Sequence, residues 1–153
     1  MSDIDQAEDA KVGFYTRPDQ LAERQVDPLI WPAVKRINES GWVWTAESCQ
    51  GHPDDTGVFG PWAGNTRPML RLVCRVEHFG GMLALLLDAA WWVHEDVPGN
   101  RPNVLEFCPT HKSGGWRGVL VYVRAATVGD RRLGLDAFER FGEAVNGANG
   151  DGA

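Results

Sequence analysis

Apolar residues recur along this chain at two different periods, and the switches between them mark out the elements. Ile30, Val34 and Ile37 stand at helical spacing ahead of Gly41, which predicts a helix over residues 31–40. Pro32 would break a helix begun at Asp27, so the later start is the one expected. The aromatic run 42–46 reads as a strand. In 69–78 the alternation is clean: Leu70, Leu72, Cys74, Val76 and His78 share one face, and Arg71, Arg75 and Glu77 the other. Residues 81–94 are apolar nearly all round, the pattern of a helix covered on most sides. Residues 103–108 and 116–125 read as two further strands. A last helix is predicted from Asp136, where Asp136 and Glu139 have capping-box spacing, to Gly147.

The order αββαββα predicts an α+β fold, a mixed four-stranded sheet with helices packed mainly on one face. The strand–helix–strand crossover at 69–108 should make its two strands parallel. If each ββ pair is antiparallel, the strand ends sort onto two edges. One gathers the end of the first strand, the starts of the second and third, and the end of the fourth. It should carry Cys49, His52, Arg67, Arg101 and Arg124, with His94 at the end of the second helix; the other edge carries His78, Cys108 and His111. The expected organisation is a flexible leader over 1–20, a globular domain over 21–146 and a disordered tail over 147–153.

The length of 153 residues suits a single domain, and 43% hydrophobic residues suffice for a core without disulfides. Three cysteines and a polar, acidic start point to a reducing, cytoplasmic setting with free or metal-bound thiols. The longest apolar run, 82–93, falls short of the roughly 20 residues that span a membrane. The net charge of −6 argues against strong duplex DNA binding, whose affinity rests on neutralised phosphates. No phosphate-binding P-loop, no GxGxxG after a strand, no CxxC pair and no HExxH occur, which disfavours nucleotide hydrolases, Rossmann oxidoreductases and zinc proteases.

The candidate chemistry lies in Ser48-Cys49-Gln50-Gly51-His52. A small flexible loop after a strand can present backbone N–H groups to an anion, with Gly51 allowing close approach. Cys49 would be a nucleophile or pocket thiol and His52 an acid/base or ligand contact. Ser48, Gly51, Arg67, Arg101 and Arg124 are the candidate ligand-binding residues, arginine being suited to a bidentate grip on phosphate or carboxylate. Each cysteine also has a histidine just downstream, at 49/52, 74/78 and 108/111. Those pairs offer the alternative of a non-enzymatic interaction protein stabilised by zinc. Cys74, among Leu72 and Val76, reads as a small buried hydrophobe. Trp42, Trp44 and Trp62 flank the loop and read chiefly as core, and Asp54-Asp55 as a solvated turn.

The stretch from Val26-Asp27 through Ile37-Asn38 and Thr45 to Ser48, Cys49 and Gly51 resembles the N-terminal motif of the wybutosine-synthesis methyltransferases that act on tRNA. There a Ser-Cys-Ser-Gly-Arg loop follows the strand. With His52 in place of that arginine, the loop is closer to short phage and bacterial proteins with a Cys-x-Gly-His loop. The resemblance covers about a fifth of the chain. It implies a related α/β scaffold with a shared loop site in a small phage or bacterial protein. The ligand expected there is an anionic small molecule or nucleotide, with a nucleic-acid modification role. It carries over neither methyl transfer nor a cofactor.

Overall fold

In the computed structural model, the structure describes residues 1–60, 66–95, 105–124 and 127–148. Helix α1 (Asp3–Asp9) opens the chain, followed by α2 (Trp31–Glu39), β1 (Val43–Cys49), β2 (Met69–Arg75), α3 (Phe79–Glu95), β3 (Leu105–Ser113), β4 (Trp116–Val123) and α4 (Arg131–Gly147). The strands form one sheet in the order β1-β2-β4-β3. The fold is α+β, with the helices packed on the sheet.

Strands β2 and β3 do run in the same direction, as the crossover through α3 requires. They are not neighbours, however, because β4 lies between them. Every hydrogen-bonded pair is therefore antiparallel, and the sheet is not mixed. The expected sorting of strand ends still holds. Cys49 stands opposite Met69, Met69 opposite Tyr122, and Leu105 opposite Val123.

Alternation along the strands builds two cores. On one face Val43, Leu70, Leu72, Cys74, Val119, Val121 and Val123 meet α2, α3 and α4, whose Ile37, Met82, Leu86, Phe138 and Phe141 are fully buried. Helix α4 starts five residues before the expected Asp136, so Asp136 is mid-helix, ion-paired to Arg132 rather than capping. Gly134 lies inside that helix because α4 rests directly on β4: a Cβ there would stand 2.3 Å from Val123. Strand β2 ends at Arg75 and turns into a 3₁₀ segment, so Val76 is exposed rather than on the core face.

The other face holds Trp44, Ala46, Val73 and Trp116, and here the expected loose leader is corrected. Ser2 and Asp5 form a capping box that starts α1. Ala7 and Val12 are buried against this face, with Ile4, Ala10 and Phe14 packed beside them. Arg75 stacks over Trp116 and pairs with Asp3, and Arg71 donates to the carbonyls of Val12 and Gly13. The last helix reaches Gly147 as expected; the rest of the tail from 149, Arg101, Trp62 and the first two residues of the expected strand at 103 lie outside the described residues. Among the described residues no helix is long and apolar enough to cross a membrane.

Candidate functional site

Strand β1 runs three residues further than its aromatic core suggested, so Ser48 and Cys49 end the strand and the loop proper begins at Gln50. A bulge between Thr45 and Glu47 re-aims this last part of β1. Asn38 at the end of α2 pins the bulge. Its carbonyl oxygen accepts from the Thr45 N–H at 2.9 Å, and its amide donates to the Thr45 hydroxyl at 2.9 Å. Thr45 is the one buried polar side chain among the described residues, and Asn38 satisfies it. Asn38→Ala leaves two buried groups of Thr45 unpaired. We expect it to lower unfolding stability by about 2 kcal/mol in a denaturant titration, whereas Asn38→Asp, which keeps the acceptor, loses less.

Beyond the bulge the chain turns back at Gly51. Its φ of +90° is one that side chains rarely adopt, and a Cβ there would lie 2.8 Å from both Phe59 and Pro68. Gly51 is therefore buried against the Phe59 ring, and its lack of a side chain serves this close packing. The His52 N–H donates to the Thr66 carbonyl at 2.7 Å, tying the loop to the entry of β2. The following turn is held by Asp54, whose carboxylate accepts from Thr56 and Val58. Those bonds keep its carboxyl below the usual range and mark it as a structural turn residue.

The residue that completes the site comes from 22 positions upstream of Cys49. Asp27, in the approach to α2, accepts from the Gln50 N–H at 3.0 Å and lies 3.9 Å from His52 Nε2. Asp27, Cys49 and His52 each present a ligand atom, and all three lie within 4.8 Å of one another. The Cys49 sulfur accepts from the Gly51 N–H at 3.3 Å and sits 3.8 Å from the Thr66 hydroxyl. Burial pushes the Cys49 thiol up from its ordinary value. Those two contacts oppose the rise, and the Asp27 carboxylate adds to it. At neutral pH the thiol is protonated, the opposite of what an activated nucleophile needs. His52 is exposed, with 54% of its side chain open to solvent, so the cluster faces outward.

The arginines expected around the loop are arranged differently. Arg67 and Arg124 reach this end of the sheet, but both pair with Glu106, at 3.0 and 3.3 Å, and Arg67 stacks over Tyr122. Ser48 is in β1, beside a small recess with Tyr15 and Val26. Among the described residues, the arginine that touches the loop is Arg131, the first residue of α4. It donates to the Gln50 carbonyl at 3.4 Å and stacks on Phe59, with 5.8 Å to the ring centroid. Of the other cysteine–histidine pairs, Cys74 is fully buried in the core, as its strand position predicts. Cys108 is exposed mid-strand in β3, opposite Leu120, instead of at the far edge; His111 lies nearer the hairpin and shares a hydrogen bond with Ser113. Among the described residues the three pairs do not converge, and the 49/52 pair alone belongs to a metal-capable cluster. Comparison with protein-family models, curated proteins and solved structures finds no match, so the functional reading rests on the residues themselves.

Proposed function

We propose that this protein is a metal-binding module in which Asp27, Cys49 and His52 hold one zinc ion, with a fourth position open to an anionic ligand. The observation that carries this reading is the convergence of the three ligand atoms within 4.8 Å. Tetrahedral zinc with ordinary bond lengths needs such atoms roughly 3.3–3.8 Å apart. The set must therefore close by about 1–1.5 Å at its widest pair. Thiolate, imidazole and carboxylate together suit zinc better than magnesium or calcium, which prefer oxygen alone. Among the described residues no fourth Cys, His, Asp or Glu joins the cluster. Three protein ligands with an open position is the arrangement of sites that polarise a bound water or ligand, not of sites that only clamp a fold.

The metal also accounts for a pairing that is otherwise unfavourable. A carboxylate beside a thiol discourages thiolate formation, so the pair is poorly built for nucleophilic catalysis. A divalent cation between them reverses the sign, favouring both anions at once. An anionic ligand would then be drawn to the cation, in keeping with the small molecule or nucleotide that the loop's likeness implies.

The test is cobalt substitution. The full chain should take up one equivalent of Co²⁺ and develop a thiolate-to-cobalt charge-transfer absorption. Cys49→Ser should abolish that band. Asp27→Asn and His52→Ala should each weaken metal binding by at least tenfold, while Cys74→Ser leaves it unchanged. Binding of cobalt without a thiolate band, or equal binding by all four variants, would remove the basis of the reading.

A further inference from the structure

Gln50 lies between Cys49 and Gly51, and both of its polar ends are held. Its side-chain carbonyl accepts from the Leu29 N–H at 2.9 Å, and its backbone carbonyl accepts from Arg131 at 3.4 Å. Leu29 and Arg131 also both line a cavity of about 300 Å³, to which α4 further contributes Leu135, Asp136 and Glu139. Two residues of the cavity lining thus hold Gln50, which stands between the Cys49 and His52 positions in the chain. Its size is at the lower end of the range for small-molecule sites.

Charge is unevenly spread along this groove. Arg132 is spent on Asp136 at 3.4 Å. Among the residues whose side chains are described, no carboxylate pairs with Arg131, which is held by a carbonyl and an aromatic face. Its guanidinium is half-buried and fixed in orientation, so little side-chain freedom is lost when it takes a second partner. Leu29, Val128 and Leu135 give the middle of the groove an apolar lining. Glu139, eight residues along the helix and so about 12 Å from Arg131, makes the far end acidic and unfavourable for an anion.

Resting on the metal reading above, we propose that this groove is the ligand channel of the Asp27–Cys49–His52 centre and takes a small phosphomonoester. Its phosphate would lie at the loop end, between the open metal position and the Arg131 guanidinium. Two cationic groups on one side suit a tetrahedral dianion better than a singly charged carboxylate. The apolar middle receives the ester's organic part. Arg131 thereby fills the role that the sorting of strand ends had given to Arg67, Arg101 and Arg124.

The experiment uses the cobalt-loaded full chain and inorganic phosphate as probe, followed by amide chemical shifts. Phosphate should perturb Leu29, Gln50 and Leu135. Arg131→Ala should weaken it at least tenfold with the thiolate–cobalt band unaltered. Arg132→Ala, one residue along the same helix, should change it less than threefold. Arg131→Lys keeps the charge and the aliphatic stem and guards against a misfolded alanine variant; it should bind with intermediate affinity. Equal losses in Arg131→Ala and Arg132→Ala would overturn the channel, as would shifts confined to another surface, and the metal site would stand. Acetate binding as tightly as phosphate would overturn the phosphomonoester assignment. Absence of the cobalt band overturns the metal reading itself, and the channel with it.

Discussion

Removal of residues 1–13 should strip the second core and lower unfolding stability by about 3–5 kcal/mol. The truncated segment carries α1, and with it the cover over Trp44, Ala46, Val73 and Trp116, all now 5% exposed or less. Burial of a side chain the size of valine or leucine contributes about 1.5–3 kcal/mol. Deletion removes Ile4 and Val12 and leaves the two tryptophans partly open. The gain is offset in part because thirteen residues no longer need to be ordered. A net loss of this size is a large fraction of the 5–15 kcal/mol typical of a domain. Denaturant titration gives the loss directly, and tryptophan emission should shift to the red before unfolding begins. The exposed Trp44–Trp116 pair, 5.8 Å between ring centroids, also makes self-association the expected secondary effect. Ala7→Glu should reproduce the spectral shift, since Ala7 is wholly buried and has no room for a carboxylate. Unchanged stability and emission in both variants would mean that α1 is a dispensable cover.

That helix was hard to read in the sequence for a physical reason. Asp3, Asp5, Glu8 and Asp9 make the segment look solvated, and its apolar stripe is only Ile4 and Ala7, extended by Val12 past the helix end. The Ser2–Asp5 cap was the one available signal. By contrast, the strands on the larger core declared themselves, because Leu70, Leu72 and Cys74 must alternate to face three helices. Strand order was not legible: hydrophobic alternation says which face a residue occupies, not which strand lies beside it. Thus β4 entered between β2 and β3 unannounced, although the sorting of strand ends survived, since it depends on direction alone.

The site shows the same division. Cys49 and His52 could be paired from their spacing, but Asp27 joins them only through the turn that leads into α2, and nothing in its spacing marks it as their neighbour. Arg131 was missed because the capping-box spacing of Asp136 and Glu139 suggested a later helix start. The close contact of Gly134 with Val123 explains why a glycine belongs inside that helix. Arg67 and Arg124 were placed at the correct end of the sheet, but their side chains were claimed by Glu106, a residue with no motif to announce it.

Stability should fall steeply between about pH 9 and pH 12, and Cys74 should be a principal cause. Burial, with a smaller contribution from the Glu77 charge, pushes this thiol up to about 12 from an ordinary 9.0. Over that interval the unfolded chain has lost the thiol proton while the folded protein retains it. The folded state then binds more protons, and a state that binds more protons loses ground as pH rises. The slope is about 1.4 kcal/mol per pH unit, giving roughly 4 kcal/mol over three units. Cys49, also raised, acts in the same direction to a smaller extent. Comparison with Cys74→Ala isolates the one residue, because every other group is common to both proteins. At pH 7 the variant should be less stable by about 1 kcal/mol, the cost of a sulfur-sized void in a core where Cys74 is wholly buried. Above pH 9 it escapes the ionisation penalty, so the two stability curves should cross near pH 10 and separate in the opposite sense beyond it. Urea titrations at unit pH intervals would show the crossing. Parallel curves from pH 7 to pH 11 would mean that the folded protein admits the thiolate, and that Cys74 is far more open than its place between Leu72 and the helices implies.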